Sequence, residues 1–253
     1  MGFVRNIKYF CGNEYFETDL FELADMRERG RKIRKPKTEK SSVDQKRRNK
    51  KRAERKLLQE IMTNFTRADI FQTLTFDKEH QPATAKEANK EFHNYIRRLN
   101  RRRKKIGLPP AKYKGVLEKK SGKYHFHVVI SGGISRDEME EIWGKGLANA
   151  RRLKISDKEI MQKLVKYLLK ESRNEEKFKS RIISSRNLEK PKVTKTDWRF
   201  SHRKLVELAG LTDCAEVWEE LYPGYTFIEA ESTFNELTGW HITVKMSKKE
   251  GET

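Results

Sequence analysis

The strongest constraint in the sequence is a β-hairpin signal in the middle of the chain. Two runs, 113–120 and 123–130, flank the dipeptide Ser121-Gly122, and the second run, KYHFHVVI, is rich in β-branched and aromatic residues. This dipeptide is typical of a two-residue turn between antiparallel strands. Such a short loop fixes the register of every residue pair along the two strands.

That register brings ligand-type side chains together on one face of the hairpin. Glu118 lies directly across from His125, and the period of two puts His127 on the same face. Phe126 and Val128 point to the other face, towards a core. A four-residue loop keeps this pairing, whereas a bulge with an odd number of residues moves Glu118 to the other face. With the two-residue loop, the sequence predicts that one carboxylate and two imidazoles converge.

Two imidazoles and a carboxylate on one sheet face are typical of a half-open site for a divalent cation. Positions remain for water or a phosphate oxygen. The alternative is a pair of ordinary histidines held by their neighbours, and the hairpin pattern leaves both interpretations open. Cupin-like enzymes use the same ligand types, so a metal site alone does not name the reaction.

A later helix carries a tyrosine. Residues 156–172, SDKEIMQKLVKYLLKES, combine a capping box with apolar residues at helical spacing. Tyr167 falls at the edge of the apolar half, beside Lys163 and Lys170. Neighbouring ammonium groups favour the phenolate, which is the form that attacks phosphorus. Packing against a core is the commoner role of a tyrosine at such an edge, so the helix pattern alone leaves its role open.

The charge of the chain points to a polyanionic partner. Lys and Arg number 57 against 37 Asp and Glu, which gives a formal net charge of +20. The basic residues come in runs at 46–56 and 97–105, so nucleic acid is the first candidate partner, although each run is also compatible with a solvated surface. The candidate DNA contacts are Lys50, Lys51, Arg52, Arg101, Arg102, Arg103, Lys163 and Arg186.

Other features exclude several classes of protein. Cys11 and Cys214 lie far apart without CxxC spacing, which argues against a disulfide framework or a zinc knuckle. The N-terminus lacks a signal-peptide pattern, and no apolar stretch reaches about 18 residues, so we expect a soluble cytoplasmic protein without membrane contact. No GxxxxGK[ST] loop is present, so a helicase activity would come from a partner.

Three motifs follow one another in an order that carries a family resemblance. FQTLTF at 71–76 is followed by Glu118 with HFH at 125–127, and then by YLLK at 167–170. In this order they resemble the HUH endonucleases, in particular rolling-circle replication initiators of phages and plasmids, including relatives of the filamentous-phage replication endonuclease. Softer similarities in CGNEYFE, SSRNLEKP and YPGY extend over most of the chain. The helix has no second tyrosine, so the chain resembles the single-tyrosine type.

The resemblance implies a role for each matching residue. His125 and His127 would be metal ligands, Glu118 would complete the site, Tyr167 would be the nucleophile, and Lys170 would assist at the phenolate or phosphate. The implied cofactor is Mg²⁺ or Mn²⁺. Imidazole ligands also suit Zn²⁺ and Fe²⁺, so the identity of the metal rests on the resemblance and not on the spacing.

The fold implied is α+β, with a central antiparallel sheet and helices packed on it as an HUH or RRM-like palm. A basic N-terminal helix and a C-terminal β-hairpin, TFIEAES with GWHITVKM, would be added to it. The strand and helix order read from the residues agrees with this fold. We expect three regions: an extension with a linker and the basic helix over 1–65, an endonuclease domain over 66–205, and an accessory hairpin region over 206–253.

The function implied is metal-dependent, sequence-specific DNA nicking and strand transfer that starts rolling-circle replication. The expected products are a 5′-phosphotyrosyl enzyme and a free 3′-OH. Single-stranded or hairpin origin DNA would be the substrate in a bacterial host, with a host helicase and polymerase as partners. The alternatives are a single-tyrosine HUH transposase and a non-catalytic, basic nucleic-acid-binding protein.

Overall fold

The computed structural model describes residues 3–23, 42–155, 158–171 and 182–249, with the side chains at 158–160, 167 and 169–171 outside the description. These residues fold as an α+β protein with ten strands and six helices. No helix within these ranges contains an apolar stretch long enough to cross a membrane. In chain order the elements are β1 (Val4–Cys11), β2 (Tyr15–Glu22), α1 (Val43–Asn64), β3 (Ile70–Thr75), α2 (Ala85–Lys105), β4 (Tyr113–Lys120), β5 (Lys123–Ile130), α3 (Arg136–Trp143), β6 (Ala148–Arg152), α4 (Lys158–Glu171), β7 (Ile182–Ser184), β8 (Lys192–Thr196), α5 (His202–Ala209), α6 (Ala215–Leu221), β9 (Tyr225–Asn235) and β10 (Gly239–Lys248).

The chain divides into two compact units, one formed by residues 1–50 with 190–253 and the other by residues 51–189. The described residues of each unit contain a five-stranded antiparallel sheet. The strand order is β8-β1-β2-β10-β9 in the first unit and β6-β3-β5-β4-β7 in the second.

The β4–β5 hairpin of the second unit has the predicted register. Glu118 is paired with His125 across the two strands, and the loop between the strands consists of Ser121 and Gly122. Both loop residues have positive φ, 50° and 80°, as a type I′ turn requires. Glycine adopts this conformation without steric cost, and the twist of the turn matches that of the strands.

One face of the second sheet packs against α2 and α3 to form an apolar core. The N-cap hydroxyl of Thr84 accepts a hydrogen bond from the backbone N–H of Glu87, which fixes the start of α2. Residues at helical spacing on α2 then meet alternate residues of the strands. The core includes Phe92, Tyr95 and Leu99 from α2, Met139 and Trp143 from α3, and Leu74, Leu117, Phe126, Val128 and Ile130 from the sheet.

The first unit joins strands from the two ends of the sequence. β2 pairs with β10, which also pairs with β9, so the predicted C-terminal hairpin is observed as part of a larger sheet. Strands from residues 1–65 and from residues 206–253 therefore lie in one sheet. Apolar residues on one face of this sheet, including Phe16 and Leu20, pack with Leu205 of α5 and Trp218 of α6. The residues of β2 give no local signal of the pairing with β10, because the two strands lie more than 200 residues apart in the sequence.

We predict that Gly115→Ala destabilises the second unit because β4 and β5 approach closely at this glycine. A Cβ at this position would lie 2.3 Å from the carbonyl oxygen of His127 and 2.7 Å from Cα of Val128. Backbone must then move, at a cost of about 1–3 kcal/mol in the free energy of unfolding. Chemical denaturation followed by circular dichroism measures the change.

Gly210→Ala is the comparison, because Glu207 O is the nearest atom to its added Cβ, at 3.6 Å. This variant should change stability by less than about 0.5 kcal/mol. Equal stability of the Gly115→Ala variant and the parent protein would contradict the prediction.

Candidate metal centre and the sheet face around it

Glu118 and His127 meet on the face of the second sheet that is opposite the α2–α3 core. The carboxylate oxygen Oε2 of Glu118 lies 2.9 Å from Nε2 of His127, and both residues are buried, with 7% and 8% of their surface accessible. The hairpin register accounts for this contact, since the two residues lie on neighbouring strands and on the same face. The predicted convergence therefore holds for this pair.

Neighbouring β3 holds the other side of the His127 ring. Thr73 pairs with His127 across the strands, and its hydroxyl Oγ1 lies 3.1 Å from Nδ1. The ring of Phe71 stacks on the imidazole with 6.2 Å between centroids and 10° between planes. Both nitrogens of the imidazole thus have a partner, and the ring orientation is fixed.

The hydrogen-bond partners also select a tautomer. A carboxylate only accepts hydrogen bonds, so a neutral His127 carries its proton on Nε2 and donates to Glu118. The Nδ1 atom then accepts from the Thr73 hydroxyl. A hydroxyl also accepts, so Thr73 can hold the ring equally well when the proton sits on Nδ1 and Nε2 is available to a cation.

The donor chemistry of this pair fits a divalent cation. Adjacent ligands of an octahedral ion lie about 3 Å apart when the bonds are about 2.1 Å long. The 2.9 Å between Nε2 of His127 and Oε2 of Glu118 is the length of a hydrogen bond, and it also leaves both atoms within reach of a single ion. The assignment of Glu118 and His127 as metal ligands stays a prediction, in which Thr73 would orient the imidazole.

His125 lies on the same face of the sheet as Glu118 and His127 but is not part of their hydrogen-bonded contact. It pairs with Glu118 on β4 and with Thr75 on β3, and it is half-buried. Burial, and then the charges of Lys120 and Lys123, lower the pKa of His125, which favours the neutral form that binds metals. Among the described residues, no group of three or more His, Cys, Asp or Glu side chains is arranged to hold a metal ion. The three-ligand centre stays a prediction.

Helix α4, which contains Tyr167 and Lys170, packs against the strand that carries Glu118. The described side chains of Met161, Val165 and Leu168 are buried, in agreement with the predicted apolar stripe, and the helix contacts β4. The side chains of Tyr167 and Lys170 lie outside the described residues. Their predicted roles as nucleophile and assisting cation stay predictions.

The sheet face that carries the Glu118–His127 pair is covered on one side and open on the other. Val116 of β4 and Val129 of β5 have 2% and 0% of their surface accessible. Towards the β6 edge, Leu147, Asn149 and Arg151 alternate on this same face and are exposed. A ligand of the Glu118–His127 pair therefore has open surface over β3 and β6.

Sequence reasoning did not single out Asn149 and Arg151. The available signal was the alternation of small with larger residues, since Ala148 and Ala150 face the core while their neighbours face outward. Strand β6 has five residues, and an alternation over so few residues does not distinguish a strand from a loop.

The basic residues expected to contact DNA differ in their surroundings. The Arg103 guanidinium donates to the carbonyl oxygens of Pro109 at 2.7 Å and Gly132 at 2.6 Å, and the residue is only 4% accessible. This buried guanidinium ties together the loops that follow α2 and β5. Its position leaves little surface for the expected contact with a phosphate. Arg102 forms an ion pair with Glu138. The remaining candidates are exposed, and they are Lys50, Lys51, Arg52, Arg101, Lys163 and Arg186.

We predict that Thr73→Val weakens binding of Mn²⁺ by about 10-fold or more, because loss of a partner that orients a ligating histidine typically has this effect. Valine keeps the shape of threonine but cannot hydrogen-bond to Nδ1 of His127. Thr73→Ser should retain the parent affinity. Isothermal titration calorimetry with Mn²⁺ measures the change.

Thr75→Val is the matched control, since the Thr75 hydroxyl donates to the carbonyl oxygen of Leu147 and not to a histidine. An equal loss of affinity in the Thr73→Val and Thr75→Val variants would assign the effect to general packing of β3.

Comparison with known families agrees with the resemblance seen in the motifs. Residues 69–172 match the model of the family described as replication-associated protein ORF2/G2P, a match that covers less than half of the chain. It begins just before β3 and includes the β4–β5 hairpin and helix α4. No curated protein and no solved structure shows significant similarity to the chain. Over residues 69–172, the predicted resemblance to this replication-associated protein family is confirmed.

Proposed function

We propose that the protein nicks origin DNA and starts rolling-circle replication through a covalent bond to Tyr167. The family match over residues 69–172 carries this proposal, because it includes every residue that the motifs assign to the reaction. The contact between Glu118 and His127 supports it, since it supplies two adjacent ligands of suitable chemistry.

The reaction would be a transesterification. The Tyr167 oxygen forms a bond to the scissile phosphorus, the bond from phosphorus to the 3′ oxygen breaks, and the phenol proton leaves to solvent. The enzyme then holds the 5′-phosphate, and the released 3′-OH is available to a polymerase. A bound Mg²⁺ or Mn²⁺ would offset the charge that develops on the phosphate oxygens. Lys170, three residues after Tyr167, would stabilise the phenolate or the phosphate.

The exposure of the sheet face supports a path for the DNA. The β4 side of the face is buried at Val116 and Glu118. The β6 side exposes Asn149 and Arg151, an amide and a cation that suit a base edge and a phosphate. A single strand lying over β3 and β6 would pass beside the Glu118–His127 pair.

A replication initiator also implies partners in the host. The proposal includes single-stranded or hairpin origin DNA as substrate, and a host helicase and polymerase that use the free 3′-OH. It places the protein in the cytoplasm of a bacterial cell. A single-tyrosine transposase would form the same type of covalent bond but would join element ends, and a binding-only protein would form no covalent bond.

We predict that the parent protein, with Mn²⁺ and labelled single-stranded origin DNA, forms an adduct that survives a denaturing gel. Tyr167→Phe should abolish the adduct, because phenylalanine keeps the ring and removes the attacking oxygen. Chelation of the metal should also abolish it. Mass spectrometry of the trapped peptide should locate the nucleotide on Tyr167.

Tyr124→Phe is the matched control, since Tyr124 lies on the opposite face of β5, in the apolar core. It should leave the yield of adduct unchanged. An adduct that persists in the Tyr167→Phe variant would move the nucleophile to another residue, and tight DNA binding without an adduct under any metal would favour the binding-only protein.

We predict that Arg151→Ala weakens binding of single-stranded DNA and lowers the slope of log affinity against log salt by about 0.7, as loss of one phosphate contact should. Arg152→Ala removes the same charge from the adjacent residue, which faces the other side of β6. It should leave the slope unchanged. Fluorescence anisotropy between low and moderate salt measures both variants, and equal effects would contradict a DNA path on the Arg151 face.

A further inference from the structure

An aspartate–histidine pair lies immediately after β3. The backbone N–H of His80 donates to Oδ1 of Asp77 at 2.9 Å, and its ring atom Nδ1 lies 2.8 Å from Oδ1 and 3.0 Å from Oδ2. A carboxylate accepts only, so the Nδ1–H bond points to Asp77. The other ring nitrogen, Nε2, therefore points away from the carboxylate. Both side chains are partly accessible, at 45% for Asp77 and 35% for His80.

The ladder between β3 and β6 places Asp77 on the face of the Glu118–His127 pair. The backbone N–H of Thr75 donates to the carbonyl oxygen of Leu147, and that of Asp77 donates to Lys145, both at 2.9 Å. The chain thus stays extended beyond the end of β3. Phe76 between them is buried in the core, so Asp77 and Thr75 face the opposite side.

The position along the strand puts Asp77 on the same sheet face as the Glu118–His127 pair, beyond the row of His125. Thr75 is paired directly with His125. Asp77 lies two residues further, about 7 Å along the strand from the row of His125 and about 13 Å from the row of His127, the partner of Thr73. Since β3 borders the open part of the sheet face, His80 stands beside the path proposed for the DNA.

The environment of Asp77 suits it to orient an imidazole. Burial opposes ionisation of this carboxyl, but the hydrogen bonds and charge of His80, with a backbone hydrogen bond from Glu79, together outweigh burial and hold the pKa of Asp77 below its usual value. An ordinary turn closed by the Asp77 side chain needs only the hydrogen bond from the backbone N–H of His80 to the carboxylate. The additional contacts to Nδ1 orient the ring.

Resting on the proposed nicking reaction, we propose that His80 is the general acid for the departing 3′ oxygen and that Asp77 is its positioning residue. When the bond from phosphorus to the 3′ oxygen breaks, the electron pair stays on that oxygen and the Nε2 proton of His80 transfers to it. His80 then recovers a proton from water. In resealing, neutral His80 accepts the proton of the attacking 3′-OH.

A substrate with sulfur in place of the bridging 3′ oxygen tests this role directly. A thiol has a pKa of about 8.5, so a thiolate departs without a proton. On ordinary DNA, His80→Gln should slow formation of the Tyr167 adduct by about 100-fold or more. On the 3′-thio substrate with Mn²⁺, the variant and the parent protein should react at rates within a few-fold of each other. Asp77→Asn should show the same pattern with a smaller loss.

His93→Gln is the matched control, because His93 is exposed on α2 and its Nδ1 lies 2.6 Å from the carbonyl oxygen of Asn89. It should leave both rates unchanged. Melting temperatures of all three variants should equal that of the parent protein, since the substituted side chains lie at the surface.

The outcomes separate this inference from the proposed function. No adduct with the parent protein would overturn the nicking reaction itself. A parent adduct with an equal loss for His80→Gln on both substrates, or with no loss on either, would overturn the assignment of His80 as the general acid.

Discussion

The site depends first on the pairing of β4 with β5. The Ser121-Gly122 turn fixes this pairing, because both residues adopt the positive φ of a type I′ turn. A slip of one residue would move Glu118 to the other face of the sheet and put a carboxylate into the apolar core. The same register buries Phe126 among the residues packed under α2. Packing on one face and the Glu118–His127 contact on the other therefore stabilise a single alignment of the strands.

Thr73 can hydrogen-bond to His127 both without a metal and with a metal bound to the Glu118–His127 pair. Without a metal, the Thr73 hydroxyl can donate to Nδ1 of His127, and Nε2–H can donate to Glu118. With a metal at Nε2, the ring proton would lie on Nδ1, and the same hydroxyl would accept a hydrogen bond from Nδ1–H. The ring then need not rotate between the two states. A residue that only donates or only accepts would favour one of them.

Local chemistry made the hairpin, the α2 stripe and the α4 stripe predictable. Turn residues, capping boxes and apolar spacing each act over a few residues. The hairpin and the α2 stripe formed as expected, as did the part of the α4 stripe whose side chains the structure describes. The partnership of β2 with β10 could not be predicted in this way, because it depends on residues at opposite ends of the sequence. Arg103 illustrates a second limit, since its basic run suggests a surface while the carbonyl oxygens around its guanidinium come from later loops. The placement of Asp77 required the ladder beyond β3, which only the structure supplies.

The open β6 edge has a topological consequence. Among the described strands, β6 has a neighbour on one side only, and the exposed residues Leu147, Asn149 and Arg151 lie along it. A closed channel would require a strand end to be threaded through it. A surface that is open at its edge accepts a DNA segment laid across it from the side. For the proposed initiator, circular DNA without any end could therefore reach the site, and the nicked circle could leave by the same route without passing through the protein.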